Sequence, residues 1–158
     1  MNSKMFDGFL HMHSTLRWVL VVLMVFSLVH AFMGKSGGKV FEGKSRKIFL
    51  FTLITLHIQV LLGLAMYFMS NVVDAALESE AMMKSSTHRF WAIEHMVGML
   101  LGAILITIGW SKAKKAIENA AKFKKIAVFY TIGFIIILAT IPWPFREMFE
   151  GRSWFPGS

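Results

Sequence analysis

Four apolar segments, separated by short polar segments, make up most of the chain. They cover residues 9–32, 47–69, 90–110 and 126–145. Each is close to the roughly 20 residues that an α-helix needs to cross the hydrocarbon core of a bilayer. No internal repeat and no linker of domain-separating length interrupts them. The pattern therefore predicts an all-α protein, with residues 1–158 forming one integral membrane domain built as a four-helix bundle.

The composition agrees with a membrane protein. Of the 158 residues, 56% are hydrophobic and only 16% are charged, and the mean hydropathy is +0.59. A soluble domain of this length has too little core to bury so much apolar surface, so we expect the lipid bilayer to cover it. The first apolar segment contains Arg17 and no small-residue cleavage site follows it, so we interpret it as a retained span. The chain has no cysteine, which excludes thiolate metal sites, disulfides and iron–sulfur clusters.

The positive charge of the chain lies mainly in two of its three loops. The formal net charge is +8. The first loop has five basic residues against one acidic residue, the third has six against one, and the second has two against three. The positive-inside rule therefore predicts that the first and third loops are cytoplasmic and that both termini are outside. Because the basic residues follow this topology pattern, we do not expect nucleic acid as a partner.

Apart from Lys47, the first residue of the second span, two charged residues fall inside the predicted spans, Arg17 and Glu94. Charges in a membrane interior are unfavourable and usually mark a site or a buried pair. At a rise of about 1.5 Å per residue, Arg17 lies about 12 Å and Glu94 about 6 Å into its span. Because a long arginine side chain can reach back toward the interface, we predict an Arg17–Glu94 pair. The alternative is that such a pair only fixes the register of the helices.

Histidines from different spans are the candidate ligands. His13 and His95 fall in the outer third of two helices that run in the same direction, and His57 lies near the middle of the second span. A haem in a helical bundle needs imidazoles from two facing helices at one height. We therefore predict His13 and His95 as axial ligands and His57 as the alternative, with Arg17 as a cation near the propionates. The alternative is a purely structural role, in which these histidines only form hydrogen bonds between helices.

A strip of glycine lies below His95, because Gly98 and Gly102 follow it at helical spacings. We expect this strip to leave room for a flat ring. The same GxxxG spacing is also typical of close helix packing, and the sequence does not decide between the two. A further alternative is a metal or proton site made by His13, His57, His95 and Glu94, since imidazole and carboxylate ligands suit several first-row metals.

Four motifs resemble one family of membrane proteins. The motifs are LHMHSTLRW, LHIQVLLGL, FWAIEHMVGMLL and IPWPF. They resemble those of small bacterial four-helix membrane proteins labelled cytochrome b-like. The matching positions in this sequence are His13, Arg17, Trp18, His57, Glu94, His95 and Pro142 to Pro144. The resemblance implies a b-type haem and a location in the bacterial inner membrane.

Two functions follow as hypotheses. The first is a haem b protein that transfers single electrons, with a quinol or with other subunits of a larger respiratory complex. The alternative is a haem-free accessory subunit of a larger inner-membrane complex, in which the polar residues fix helix register. The sequence has no phosphate-binding glycine loop, nucleophile elbow or zinc-protease motif. An electron carrier or accessory subunit is therefore favoured over a stand-alone enzyme.

Overall fold

The computed structural model describes residues 3–36, 38–149 and 154. Within these residues the chain is helical and contains no strand. The helices, in chain order, are α1 (Ser3–Ser36), α2 (Gly43–Tyr67), α3 (Asn71–Glu78), α4 (Ser86–Arg89), a π-helical turn (Phe90–Glu94), α5 (His95–Lys115), α6 (Asn119–Thr140) and a 3-10 turn (Glu147–Phe149).

Four stretches of helix are long and apolar enough to cross a membrane. They are Lys4–Ser36, Gly43–Tyr67, Ser86–Lys115 and Asn119–Thr140, the third of which runs through α4, the π turn and α5. The all-α class and the number of predicted spans are thus confirmed.

The exact ends of the spans differ from the prediction. α5 continues to Lys115 and α6 begins at Asn119, so the basic segment after the third span is mostly helix rather than loop. α6 ends at Thr140, ahead of the predicted residue 145, because Pro142 lies just beyond and proline cannot continue a helix.

Glycines bring α5 and α6 into close contact. A Cβ atom on Gly102 would lie 2.7 Å from Ile137 Cγ1 and 3.0 Å from the carbonyl oxygen of Gly133. A Cβ atom on Gly98 would overlap the side chain of Thr140. Small residues allow helix backbones to approach closely in a membrane. The structure therefore favours the helix-packing interpretation of Gly98 and Gly102, because α6 fills the space that was predicted for a flat ring.

The two ends of the bundle are built differently. We call the end with the α1–α2 and α5–α6 connections the basic end, and the end with the start of α1 and the end of α6 the cavity end. The basic end has an aromatic core in which Phe41 stacks on Phe49 with ring centroids 5.4 Å apart and meets Phe123 at 5.1 Å. Tyr130 is fully buried there and its hydroxyl donates to the carbonyl of Phe49 at 3.1 Å.

Candidate functional site

His13 on α1 and His95 at the start of α5 face each other at the cavity end. Their ring centroids are 6.4 Å apart and the ring planes are inclined by 75°. Two imidazole nitrogens that bind one metal ion from opposite sides lie about 4 Å apart. With the distance from each nitrogen to its own ring centre added on both sides, such a pair would have its centroids about as far apart as these rings are. The structure thus brings together the pair that the sequence predicted.

The orientation of His95 is set by the end of α6. Its Nδ1 donates a hydrogen bond to the carbonyl oxygen of Thr140 at 2.7 Å. Thr140 is the last residue of α6, and carbonyl groups at the end of a helix receive no hydrogen bond from an N–H of the same helix. In a neutral imidazole with Nδ1 protonated, the lone pair is on Nε2. Histidines that ligate metals typically donate their second ring nitrogen to a carbonyl or carboxylate in this way.

A π-helical turn precedes His95 directly. It covers Phe90–Glu94, and the backbone N–H of His95 donates to the carbonyl of Phe90. The hydroxyl of Tyr67 on α2 donates to the carbonyl of Ala92 at 2.7 Å, so a second helix supports the turn. Single π turns inside α-helices are rare and are frequent at functional sites. This turn sets the direction in which the His95 side chain leaves the helix.

The surroundings of His13 include two buried polar atoms without a hydrogen-bond partner. These are Nδ1 of His13 itself and Oε1 of Gln59 on α2, within the part of the chain that the structure describes. The other end of the Gln59 amide is engaged, because Nε2 donates to the backbone carbonyl of His13 at 3.0 Å. Buried polar atoms are nearly always satisfied in proteins, and each exception calls for a partner supplied by water, an ion or a ligand.

A mainly apolar cavity of about 190 Å³ borders the two imidazoles and is enclosed by α1, α2, α3, α5 and α6. A second cavity of about 50 Å³ is lined by the same two histidines. Residues that line both cavities include His13, His95, Gln59, Gly63, Tyr67 and Met99. The imidazole pair therefore stands beside open space rather than inside packed side chains.

Arg17 and Glu94 lie near the site but have other partners than predicted. Glu94 accepts a hydrogen bond from Arg89 Nε at 2.6 Å. Arg17 lines the larger cavity and donates through Nη2 to the carbonyl of Trp154 at 3.1 Å. The predicted Arg17–Glu94 pair is therefore wrong. The cause is the π turn, whose i to i+5 repeat places Arg89 and Glu94 on one face.

His57 is placed away from the cavity. It is exposed on α2, and its Nε2 lies 3.0 Å from Thr107 Oγ1. The structure thus unites two of the three predicted histidine ligands and separates the third. Among the described residues, no group of three or more His, Cys, Asp or Glu side chains is placed to hold a metal ion. A bare metal site made of His13, His57 and His95 is therefore not assembled.

Three residues of the site escaped the sequence analysis. Gln59, Gly63 and Tyr67 all lie on α2 and line both cavities. A signal was present for Gln59, which is a polar residue within the apolar run LHIQVLLGL. Gly63 follows it by one helical turn, and a Cβ atom there would lie only 3.1 Å from His13 Cε1.

Comparisons with known proteins give no assignment. No protein family, curated protein or solved structure matches this chain. The function is therefore inferred from the residues at the cavity end and from their geometry.

Proposed function

We propose that this protein binds one b-type haem between His13 and His95 and transfers single electrons within the membrane. The observation that supports it most directly is the imidazole pair, with centroids 6.4 Å apart and the Nδ1 of His95 already bonded to a carbonyl. A haem held by two imidazoles supplies one-electron chemistry, because its iron cycles between two oxidation states without an open position for substrate.

The donor set favours haem over a bare metal ion. Structural zinc sites use four protein ligands, and catalytic ones use three. The cavity end offers two imidazoles and, among the described residues, no third histidine, cysteine or carboxylate grouped with them. A porphyrin brings four equatorial nitrogens of its own, so that two axial ligands from the protein complete the coordination.

The walls of the larger cavity suit a group with an apolar body and acidic edges. Phe134, Ile137 and Leu20 provide apolar surface next to the imidazoles. Arg17 lines the same cavity, and a guanidinium binds carboxylates through paired hydrogen bonds. In this proposal Arg17 binds a propionate, while the apolar walls exclude water from the iron. Glu94 is assigned a structural role, since it is paired with Arg89.

The proposal extends to orientation and partners. The loops at the basic end carry most of the positive charge, so we place that end in the cytoplasm and the haem in the outer half of the bacterial inner membrane. At that depth, electrons are exchanged with a quinol dissolved in the bilayer or with a neighbouring membrane subunit. The resemblance of the four sequence motifs to those of cytochrome b-like proteins supports the same cofactor.

The test is the haem content of the purified protein. We expect the full chain, expressed with sufficient haem and purified in detergent, to carry one protoporphyrin haem per chain by pyridine haemochrome assay. A protein that is folded, helical and free of haem would overturn the proposal. Stable co-purification of that haem-free protein with a larger membrane complex would instead support the accessory-subunit hypothesis.

A further inference from the structure

We propose that Gln59 is the positioning residue of His13. Its side-chain Oε1 accepts a hydrogen bond from Nδ1 of His13, directly or through one water, when Nε2 of His13 serves as an axial ligand. The inference rests on the proposed haem site and adds a residue that was not among the candidate ligands predicted from the sequence. It gives His13 the counterpart of the hydrogen bond that His95 makes with Thr140.

Two buried polar atoms at the site, one on His13 and one on Gln59, complement each other. His13 Nδ1 and Gln59 Oε1 are both buried, and neither has a partner among the residues that the structure describes. Gln59 is only 6% exposed, so bulk water does not satisfy it. An imidazole whose Nε2 binds a metal is a donor at Nδ1, and an amide oxygen is an acceptor. His13 Nδ1 thus provides the donor that Gln59 Oε1 lacks, and Gln59 Oε1 provides the acceptor that His13 Nδ1 lacks.

Gln59 is already bonded to His13 through the other end of its amide. Its Nε2 donates to the backbone carbonyl of His13 at 3.0 Å. Both residues line both cavities. Gly63, one turn farther along α2, also lies beside the His13 ring, since a Cβ atom built there would be 3.1 Å from Cε1 and 3.7 Å from Nδ1. The stretch of α2 that carries Gln59 therefore lies directly against His13.

α6 and α2 offer different hydrogen-bond acceptors to the two imidazoles. Thr140 ends α6, so its backbone carbonyl is available to His95. Gln59 lies inside α2, where backbone carbonyls are used by the hydrogen bonds of the helix itself. A side-chain amide is the acceptor that this part of α2 can present. The two imidazoles would then be oriented by carbonyl oxygens from two different helices, α2 and α6.

The consequence for the site follows from ligand basicity. An acceptor on Nδ1 fixes the tautomer of a ligating histidine and raises its basicity. A more basic axial ligand stabilises oxidised iron more than reduced iron. Gln59 therefore lowers the reduction potential, besides strengthening haem binding. A residue that only joined α1 to α2 would affect stability without changing the potential.

The first test compares Gln59→Leu with Thr52→Val. Thr52 makes another buried hydrogen bond between α1 and α2, to Ser27 at 2.7 Å, and lines neither cavity. We expect Q59L to weaken haem affinity about 10- to 100-fold and to raise the reduction potential. A tenfold loss of preference for oxidised iron corresponds to about 59 mV. T52V should change neither the haem affinity nor the reduction potential. If Q59L binds haem with unchanged affinity and potential, the role assigned to Gln59 is wrong.

The second test does not depend on the stability of Q59L alone. In a His13→Gly variant, imidazole added from solution replaces the missing ligand, as does 1-methylimidazole, which has no N–H to donate. We expect imidazole to bind to H13G about tenfold more tightly than 1-methylimidazole does, because one hydrogen bond contributes about that much. The preference should disappear in the double variant H13G/Q59L. Equal binding of both ligands to H13G would overturn the Gln59 proposal while leaving the haem site intact, whereas a wild-type protein without haem would overturn both.

Discussion

The two ends of the bundle contain the same kinds of residues and use them differently. At the basic end, His30 lies 3.0 Å from the hydroxyl of Ser45 and packs against two phenylalanines. Tyr130 at that end is buried with its hydroxyl bonded to a carbonyl. At the cavity end, His13 Nδ1 and Gln59 Oε1 are buried without a partner in the described structure, beside open space.

This difference shows which intramembrane histidines point to a site. Polar side chains commonly join helices in membranes, and His30 is explained by that role alone. His13 and His95 are not, because the two rings lie together beside a cavity, and His13 Nδ1 and Gln59 Oε1 are buried without a partner in the described structure. An imidazole in a span is therefore a weak signal by itself. An imidazole pair with unsatisfied neighbours is a much stronger one.

The largest effect is expected from removing a histidine at the cavity end. His95→Ala removes an axial ligand, so we expect it to abolish stable haem binding, measured as haem per chain after purification. His30→Ala is the matched control, since it removes an imidazole of the basic end that is bonded to Ser45. It should keep full haem content. Equal haem loss in both variants would contradict the claim that haem binds at the cavity end and not at the basic end.

A core substitution at the basic end should lower the stability of the protein without removing its haem. Phe49 is fully buried among aromatic rings. Phe49→Ala leaves a cavity, and we expect it to lower the free energy of unfolding by about 3 kcal/mol. The folded fraction should still bind haem, because Phe49 lines neither cavity at the other end. Thermal denaturation and haem content of the same sample check this, and selective loss of haem from a folded protein would contradict it.

A smaller effect is expected from crowding the His13 ring. Gly63→Ala would place a Cβ atom 3.1 Å from His13 Cε1, so that the ring must shift by a few tenths of an ångström. We expect haem affinity to fall by about 1 kcal/mol, the low end of overpacking effects. Gly8→Ala is the control, because a Cβ atom at Gly8 meets nothing within 4 Å. Haem titration of both variants distinguishes a specific contact from a general effect of glycine replacement.

The smallest effect is expected at the π turn. Tyr67→Phe removes the hydroxyl that donates to the carbonyl of Ala92. Hydrogen bonds between membrane helices contribute about 0.6 kcal/mol on average, so we expect only a modest loss of stability. The spectrum of the haem should change slightly, because the turn directs His95. An unchanged spectrum together with unchanged stability would show that the turn does not depend on Tyr67.

Much of the fold could be predicted from the sequence, because bilayer thickness sets the length of an apolar segment. Four segments of that length predicted four spans, and the structure has four helical stretches long and apolar enough to cross a membrane. Only their first and last residues differ from the prediction. His13 and His95 were also predicted together. They occur at similar depth in two helices that run in the same direction, and this depth follows directly from the helical rise.

The details of the site could not be predicted, because they depend on one local departure from α-helical geometry. The π turn before His95 pairs Arg89 with Glu94, which a regular helical repeat would not bring together. Nothing in the sequence of the turn indicates it. Likewise, the spacing of Gly98 and Gly102 is the same whether a ring or another helix lies against them. Only the position of α6 distinguishes the two.

The most direct test of the account is the electron paramagnetic resonance spectrum of the oxidised wild-type protein. Two imidazoles on one iron give a low-spin signal, and ring planes inclined by 75° make that signal strongly anisotropic. We predict such a signal from the wild-type protein and its absence in His13→Ala and His95→Ala. A high-spin signal from the wild-type protein, or a low-spin signal that survives both substitutions, would contradict ligation by this pair.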